Sequence, residues 1–475
     1  MTQPGLEDDQ ERSGEAAQPV GAARAPGGGR RPHRGRPHFL PRVNRALRII
    51  GPGLITGAAD DDPSGIGTYS QTGAAYGHSQ LWLALYMLPL MIAVQEMCGR
   101  IGLVTGKGLA AVIRERYSRW VLFGVVALVV IANTLNIGAD LGAMAATLQL
   151  FAPSAPFDVL TLALAVAIVL LEVFVPYRHY AVVLKLLALS LLAYVATGLI
   201  VGFNSASILA ATFIPSIQFT PAFLSLVVGV LGTTISPYLF FWQASEEVEE
   251  LTQHQELEES DASGVRVRRP RWRRLIELRD LRIDTALGMI ASEIATWFII
   301  YTTGAVLYAH GVTNIATPDQ AAAALEPLVR SFPHAGTLAE AIFALGIMGV
   351  GLLGVPVLAG SAAYAVAEAL RWREGLWRPA THARGFYAVI AAATLIGMGL
   401  NLLHINPMAA LVYVAIINGV VAVPLLVMIL LVANNRAIMR AHVNGRLSNT
   451  VGWFTALAMG AAAVATVAAL FFPAR

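Results

Sequence analysis

Charged residues are scarce in this sequence. Only 13% of its 475 residues are Asp, Glu, Lys or Arg, whereas a soluble protein carries about 25%. Apolar runs of about 20 residues recur between short polar segments, and the mean hydropathy is +0.62. The composition therefore excludes an ordinary soluble domain and predicts an all-α polytopic membrane protein.

Cysteine is almost absent as well. The single residue, Cys98, excludes a disulfide framework and a cysteine-rich metal site. Residues 1–42 contain no apolar core of a signal peptide and are rich in Gly, Pro and Arg, so we expect a disordered cytoplasmic segment. The polar segments contain no nucleophile–base pair, phosphate loop or metal triad, so the sequence predicts neither an enzyme nor a cofactor.

The hydropathy pattern predicts about eleven membrane spans within a transporter domain over residues 43–475. They are 46–74, 79–103, 121–150, 158–175, 180–202, 220–245, 284–309, 338–370, 385–403, 408–433 and 451–472. The third and eighth exceed the length needed to span a membrane, so extra turns are expected outside the bilayer.

Lys and Arg concentrate in the segments on one side of these spans, with Arg330 and the final residue Arg475 as the exceptions. By the positive-inside rule, this predicts a plasma-membrane protein with a cytoplasmic N-terminus. The charged segment 246–283 is expected to be a solvated cytoplasmic loop whose basic end faces lipid headgroups. A regulatory or partner-binding role for this loop is the alternative. Nucleic-acid binding is not expected, and the sequence does not indicate the oligomeric state.

The stretch GAADDDPSGIGTY, residues 57–69, interrupts the first span with three carboxylates, a proline and two glycines. Non-helical backbone at membrane depth is tolerated where it lines a cavity or is buried in protein. Pro63 and Gly65 predict a break that leaves free carbonyls on one half-helix and free amides on the other. The carbonyl end suits a cation, and Asp62 adds a negative charge. The alternative is that Asp60 to Asp62 lie in water at a helix end.

A second interruption, GVLGTTISPYLFFWQ at residues 229–243, falls within the sixth span. Ser236 and Pro237 follow Gly232 and two threonines there. Breaks in the first and sixth spans predict a five-plus-five inverted repeat with the substrate site between the broken helices. Repeat one is expected over about 46–202 and repeat two over about 220–433, followed by an extra helix at 451–472. A bent helix without a site is the alternative for the second break.

Together, GPGLITGAADDDPSGIGTYSQTG and GTTISPYLFFWQASEEVEE resemble the Nramp divalent-metal transporters over most of residues 46–433. The resemblance implies a LeuT-like fold and a divalent metal ion as the transported substrate. It also implies that the Asp62 carboxylate and the Ala59 and Thr233 carbonyls bind the metal, with Ser236 at a fourth ligand position.

The sequence departs from the family pattern at three ligand positions. Gly65 stands where the family has asparagine, Ser236 where it has methionine, and Ala415 where some members have glutamine. Loss of the thioether disfavours softer metals, and a roomy oxygen site suits a partly hydrated Mg²⁺. The pattern is similar to that of the Nramp-related magnesium transporters, so we expect Mg²⁺ as the main substrate, with Mn²⁺ also carried.

The acids of the third helix in proton-coupled members fall here on Asn136 and Ala139, with Asp140 one position away. Tyr238 replaces a histidine and does not titrate near neutral pH. Weak or absent proton coupling is therefore expected. The alternatives are a proton-coupled Mn²⁺ or Fe²⁺ importer of the same family and a LeuT-fold symporter of an organic solute such as an amino acid.

Several further residues are expected to line the pathway or form the helix breaks. They are Asp61, Pro63, Ser64, Gly65, Thr68, Tyr69, Thr234, Pro237, Tyr238, Asp140 and Asn418. The other acids within spans are expected to bond between helices or to reach an interface. They are Glu96, Glu172, Glu293 and Glu368.

Overall fold

The computed structural model describes residues 56–57, 59–175, 189–202, 205–261 and 271–471. These residues are mostly helical, and no strand occurs among them. In chain order, the helices are α1 (Pro63–Tyr76), α2 (Trp82–Thr105), α3 (Leu109–Arg116), α4 (Arg119–Gln149), α5 (Phe157–Phe174), α6 (Leu192–Val201), α7 (Ser205–Phe213), α8 (Pro221–Thr234), α9 (Pro237–Asp261), α10 (Arg271–Val306), α11 (Pro318–Ala322), α12 (Glu326–Val329), α13 (Ala335–Leu370), α14 (Arg384–Leu400), α15 (Pro407–Asn434), α16 (Arg436–Met439) and α17 (Arg446–Phe471).

Nine helices in the described part of the chain are long and apolar enough to span a membrane, with α8 and the start of α9 counted as one. Helix α1 and the shorter apolar helix Leu189–Val201 stand at the predicted first and fifth spans. The other residues of those two predictions, 46–55, 58 and 180–188, lie outside the described residues. Helices α4 and α13 are 31 and 36 residues long, more than a membrane span needs, and the position of their extra turns outside the bilayer stays a prediction.

The predicted break in the first span is confirmed. Residues 59–60 are helical, Asp62 is extended (φ −67°, ψ 173°), and a new helix starts at Pro63. Asp62 is the N-cap of this helix, because its carboxylate accepts the Gly65 amide. A carboxylate is a favourable N-cap, and proline is tolerated at the first helical position because no intrahelical donor is lost there. The same residues therefore end one half-helix and begin the next.

The predicted break in the sixth span is also confirmed. Helix α8 ends at Thr234, and α9 begins at Pro237, with Ile235 outside helical geometry (φ −96°, ψ 63°). The Ser236 hydroxyl donates to the Gly232 carbonyl at 2.9 Å and also to the Thr233 carbonyl. These bonds satisfy carbonyls at the end of α8 that no helical amide reaches.

The first broken helix lies inside the bundle. Helix α1 contacts α4, α8, α10, α13 and α15. Glycines permit two of the close approaches around the break. A Cβ on Gly57 would overlap the main chain of Gly288 on α10, and a Cβ on Gly354 of α13 would lie 3.0 Å from the Asp62 Cβ. Neighbouring helices therefore enclose the break, so Asp60 to Asp62 are buried and do not lie in water at a helix end.

The expectation of a loop over 246–283 is wrong for its described part. Helix α9 continues to Asp261, and α10 begins at Arg271, well before the apolar run. The acidic run contains many Glu, Gln and Leu residues, which favour helix whether or not it lies in a membrane. Residues 262–270, including part of the basic cluster, lie outside the described residues, as does the predicted segment 1–42. The membrane orientation stays a prediction.

Candidate functional site

Asp62 lies at the junction of the two broken helices and is fully buried. Its Oδ1 accepts hydrogen bonds from the Ser64 hydroxyl at 2.6 Å and from the Gly65 amide at 2.8 Å. Its Oδ2 accepts from the Asn136 amide at 3.0 Å and from the Tyr238 hydroxyl at 3.3 Å. Both oxygens are therefore held by donors, and hydrogen bonds of this kind stabilise a carboxylate away from water.

Tyr238 connects the second broken helix to the first. Its hydroxyl donates to the Ala59 carbonyl at 2.8 Å and also faces Asp62 Oδ2. The Ser361 hydroxyl of α13 donates to the Tyr238 carbonyl at 2.8 Å. The tyrosine therefore occupies two of the oxygens that the family resemblance assigns to the metal.

Asn136 of α4 is the centre of a polar network that sequence reasoning did not recognise. Its Nδ2 lies 3.0 Å from both Asp62 Oδ2 and Asp140 Oδ2, and its Oδ1 accepts from the Asn418 amide of α15 at 2.8 Å. The network joins helices α1, α4 and α15. It places Asp140 and Asn418 in the site, although neither touches Asp62 in the recorded hydrogen bonds. The polar pair Asn136-x-x-x-Asp140 within an apolar span is the sequence signal that points to this network.

The end of α8 contributes the other predicted ligands. The Ser64 hydroxyl, which bonds Asp62, also lies 3.3 Å from the Thr233 hydroxyl, so the two half-helices meet there. The Tyr69 and Thr234 hydroxyls are 2.8 Å apart. A Cβ on Gly65 would lie 3.3 Å from the Thr233 hydroxyl, so an added side chain at this position would contact the end of α8.

The other residues that were predicted to line the pathway or form the breaks do not contact the Asp62 carboxylate. Pro63 and Pro237 begin their helices and carry no polar side chain, while Thr68 is buried against Gly229. Asp61 does not join the Asp62 network. Its Oδ1 instead faces hydroxyl groups of α10.

The other intramembrane acids behave in two ways. Glu96 accepts from Arg282 of α10 at 3.0 Å, and Glu368 accepts from the Ala111 amide and the Ser245 hydroxyl, as expected for interhelical partners. Glu172 and Glu293 are buried, and neither carboxyl has a hydrogen-bond partner among the described residues.

The residues of the site are closed off from solvent. Asp62, Thr233 and Ser236 have no exposed surface. No three His, Cys, Asp or Glu side chains in the described ranges are placed to hold a metal ion together. A cation at this junction would therefore depend on main-chain carbonyl and hydroxyl oxygens in addition to Asp62, as at the broken helices of transporters.

The chain is similar to known metal transporters over most of its length. The divalent metal cation transporter MntH of Pectobacterium carotovorum subsp. carotovorum is 26% identical over 418 residues, which cover 86% of this chain and 90% of the relative. The transporter of the same name from Klebsiella pneumoniae subsp. pneumoniae is 27% identical over 419 residues, with coverage of 86% and 90%.

Solved structures show the same fold. The manganese transporter of Eremococcus coleocola superposes with a TM-score of 0.70 at 17% identity, covering 93% of this chain and 90% of that one. The structure of MhsT in complex with L-phenylalanine superposes with a TM-score of 0.57 at 12% identity, covering 88% and 97%. The predicted LeuT-like fold is therefore confirmed.

The family model described as "Natural resistance-associated macrophage protein-like" matches residues 53–469. That range includes both broken helices and every residue of the Asp62 network. The chain therefore belongs to the Nramp family and is an integral membrane protein.

Proposed function

We propose that this chain carries divalent metal cations across the membrane by alternating access, with Asp62 as the charged ligand. The observation that supports this most directly is a fully buried carboxylate at the junction of two broken helices. A carboxylate at membrane depth is costly, and the free carbonyl ends of the half-helices favour a cation beside it.

The hydrogen bonds suggest how the site opens to its cargo. The Tyr238 hydroxyl donates hydrogen bonds to the Ala59 carbonyl and the Asp62 carboxylate. The Ser236 hydroxyl donates to the Thr233 carbonyl. A cation that uses these oxygens must displace both hydroxyl groups. We therefore assign to Tyr238 the role of closing the empty site, so that rotation of its side chain exposes two ligands at once.

The ligand set favours a hard divalent cation. The hydrogen-bond partners of Asp62 among the described residues are hydroxyl and amide groups, and none of them contains sulfur. Carboxylate, carbonyl and water ligands suit Mn²⁺ and Mg²⁺ alike. Relatives are named divalent metal cation transporters, and one similar structure is a manganese transporter, so Mn²⁺ is the first substrate to test. The Mg²⁺ preference stays a prediction from ligand chemistry, and the comparisons do not support it.

Proton coupling also needs a direct test. The expectation of weak coupling depends on the absence of acids at positions 136 and 139, but Asp140 reaches the same network through Asn136. The comparisons do not support weak coupling. A proton-coupled Mn²⁺ or Fe²⁺ importer therefore agrees with the names of the relatives at least as well as a weakly coupled Mg²⁺ carrier does.

The organic-solute alternative has less physical support. Asp62 and Asp140 are acidic, and within the described part of the chain no Lys or Arg forms a hydrogen bond or an ion pair with either of them. A substrate carboxylate would be repelled. The similarity to MhsT is at 12% identity and establishes the fold alone.

The deciding experiment measures Mn²⁺ and Mg²⁺ uptake into proteoliposomes, with a pH-sensitive dye inside. Asp62→Ala is compared with Asp158→Asn, which changes an exposed acid at the start of α5. We expect saturable uptake that Asp62→Ala abolishes and Asp158→Asn leaves intact. Equal uptake by Asp62→Ala would refute the assignment of Asp62. Absence of both fluxes from the unaltered chain would refute divalent transport. Acidification that follows the metal would refute weak coupling.

A further inference from the structure

A polar cavity of about 280 Å³ lies where the end of α2, helix α3 and helix α16 meet. We call it the basic pocket, and its charged members are Lys107, Glu115, Arg116 and Arg440. All four residues are exposed. One water molecule occupies about 30 Å³ of the liquid, so the cavity has the volume of about nine waters, enough for a phosphate group with waters beside it. The pocket therefore has the size and composition of a site for a small anionic group.

The charges that line the basic pocket are not balanced. Lys107 Nζ lies 2.6 Å and 2.8 Å from the two carboxylate oxygens of Glu115, so this cation and this acid pair with each other. Arg116 and Arg440 form no ion pair within the described ranges. Glu115 is the one acid among the described residues that line the cavity. Three cations and one acid leave an excess of two positive charges, which an anion would balance.

Buried contacts hold the walls of the basic pocket together. Arg100 of α2 is only 4% exposed, and its guanidinium donates to the His442 carbonyl and to the side-chain oxygen of Asn444. The main-chain amide of Asn444 donates to the Ala433 carbonyl, near the end of α15, at 3.2 Å. The segment that contains Arg440 is therefore fixed against α2. A pocket with fixed walls loses less conformational freedom when it binds a ligand.

The backbone of Arg440 is unusual. This residue ends α16 with φ 54° and ψ −114°, a conformation in which residues other than glycine are rare. Glycine would form the same turn at less cost. Strained residues of this kind are concentrated at functional sites. The turn alone therefore does not account for an arginine here, whereas a role for its side chain in the basic pocket does.

The basic pocket lies at the ends of four candidate membrane spans. Helices α2 and α15 end beside it, and α4 and α17 begin within a few residues of Arg116 and Arg440. Trp120 of α4 and Leu447 of α17 are 77% and 79% exposed, and the Arg119 guanidinium lies 5.7 Å from the centre of the Trp120 ring. Exposed tryptophan beside cations is typical of the boundary between membrane and water. The pocket is therefore within reach of lipid head groups, on the side predicted to be cytoplasmic.

We propose that the basic pocket binds the phosphate of an anionic phospholipid head group. Arginine binds phosphate through paired hydrogen bonds, and lysine adds a compact positive charge. Basic pockets between membrane helices on the cytoplasmic side suit such head groups. A lipid held here would contact the turn between α2 and α3 and the segment between α15 and α17 at once. It would therefore stabilise the contact between these two parts of the bundle.

The test is the binding of radiolabelled phosphatidylglycerol to the full chain, purified in detergent, with phosphatidylcholine as the neutral comparison. Each Lys or Arg near an anionic lipid changes the binding constant by about fivefold, so two unbalanced cations should favour phosphatidylglycerol by about 25-fold. Arg116→Gln and Arg440→Gln should each raise the Kd for phosphatidylglycerol by about fivefold. Arg279→Gln is the matched control, because Arg279 is an exposed residue of α10 that does not line the pocket, and it should leave the Kd unchanged.

Glu115→Gln should have the opposite effect. The substitution removes the acid of the pocket and releases Lys107 from its ion pair. The Kd for phosphatidylglycerol should therefore fall by about fivefold. A variant that failed to fold would not bind the lipid more tightly, so this result separates a charge effect from a folding defect.

Four results would overturn the proposal. They are equal affinity for the two lipids, an unchanged Kd in Arg116→Gln and Arg440→Gln, an equal loss of affinity in Arg279→Gln, and a Kd that does not fall in Glu115→Gln. A separate arm adds sodium phosphate or sodium chloride at equal ionic strength. If free phosphate displaces the labelled lipid as well as unlabelled phosphatidylglycerol does, the pocket binds a soluble anion and the assignment to lipid is wrong. Binding is measured without transport, so its outcome is independent of the proposed function.

Discussion

Tyr238→Phe separates the closing role of the hydroxyl from the packing role of the ring. The substitution removes a donor that lies 2.8 Å from the Ala59 carbonyl and 3.3 Å from Asp62 Oδ2, while the buried ring remains. A hydrogen bond to a charged group contributes about 1.5–3 kcal/mol, and each 1.4 kcal/mol changes an equilibrium constant about tenfold. A cation that no longer competes with the hydroxyl should therefore bind about 10–100-fold more tightly.

The assay is metal uptake into proteoliposomes over a range of Mn²⁺ concentrations. We expect the KM to fall by about tenfold or more and the maximal rate to fall with it, because a tightly held ion leaves slowly. Tyr387→Phe is the matched control, since its hydroxyl donates to the Arg378 carbonyl at 3.0 Å, away from the site. A higher or unchanged KM in Tyr238→Phe would show that the hydroxyl does not compete with the metal.

Three further predictions concern selectivity, charge and stability. Ser236→Met supplies a thioether and should raise Cd²⁺ uptake relative to Mg²⁺ by about tenfold in competition assays; an unchanged ratio would place residue 236 outside the metal's reach. Asp140 and Asp62 oxygens each lie 3.0 Å from one Asn136 nitrogen, so they are at most twice that, 6.0 Å, apart. Asp140→Asn should therefore raise the KM for Mn²⁺ uptake by about tenfold, because it removes an acid beside Asp62, and an unchanged KM would contradict this. Between α13 and α14, burial raises the pKa of Glu374 from 4.5 to about 9. The folded state keeps this proton to higher pH than the unfolded state, so stability falls as pH rises from about 5 to 9. Glu374→Gln should raise stability at pH 8 by about 1–3 kcal/mol and have little effect near pH 4, as measured by thermal unfolding; an equal gain at both pH values would refute a titrating Glu374.

The helix breaks were predictable because they depend on local chemistry. Pro63 and Pro237 cannot continue a helix, and the polar residues beside them have no place in a lipid-facing segment. Two breaks at matching positions then indicated both the fold and the region of the site. The structure confirms the two breaks and the fold, and the location of the site stays a proposal.

The side-chain partners could not be predicted in the same way. The sequence identified Asn136 only as a residue that stands where proton-coupled members of the family have an acid. It assigned no role to Ser292 or Thr296. Their contacts join residues far apart in sequence, so they depend on how helices rotate against one another. Hydropathy fixes that rotation poorly in a bundle whose helices are apolar on most faces. The prediction of a loop over 246–283 was wrong in its described part because hydropathy does not distinguish a charged helix from a charged loop.

The close approach of Gly354 to Asp62 predicts where mutations should impair transport. It carries no functional group, yet a Cβ at this position would lie 3.0 Å from the Asp62 Cβ. Every missense change of a glycine codon adds at least that atom. In a genetic screen, alleles that alter codon 354 should therefore lower transport in cells that still make the protein, because the added atom displaces the Asp62 side chain.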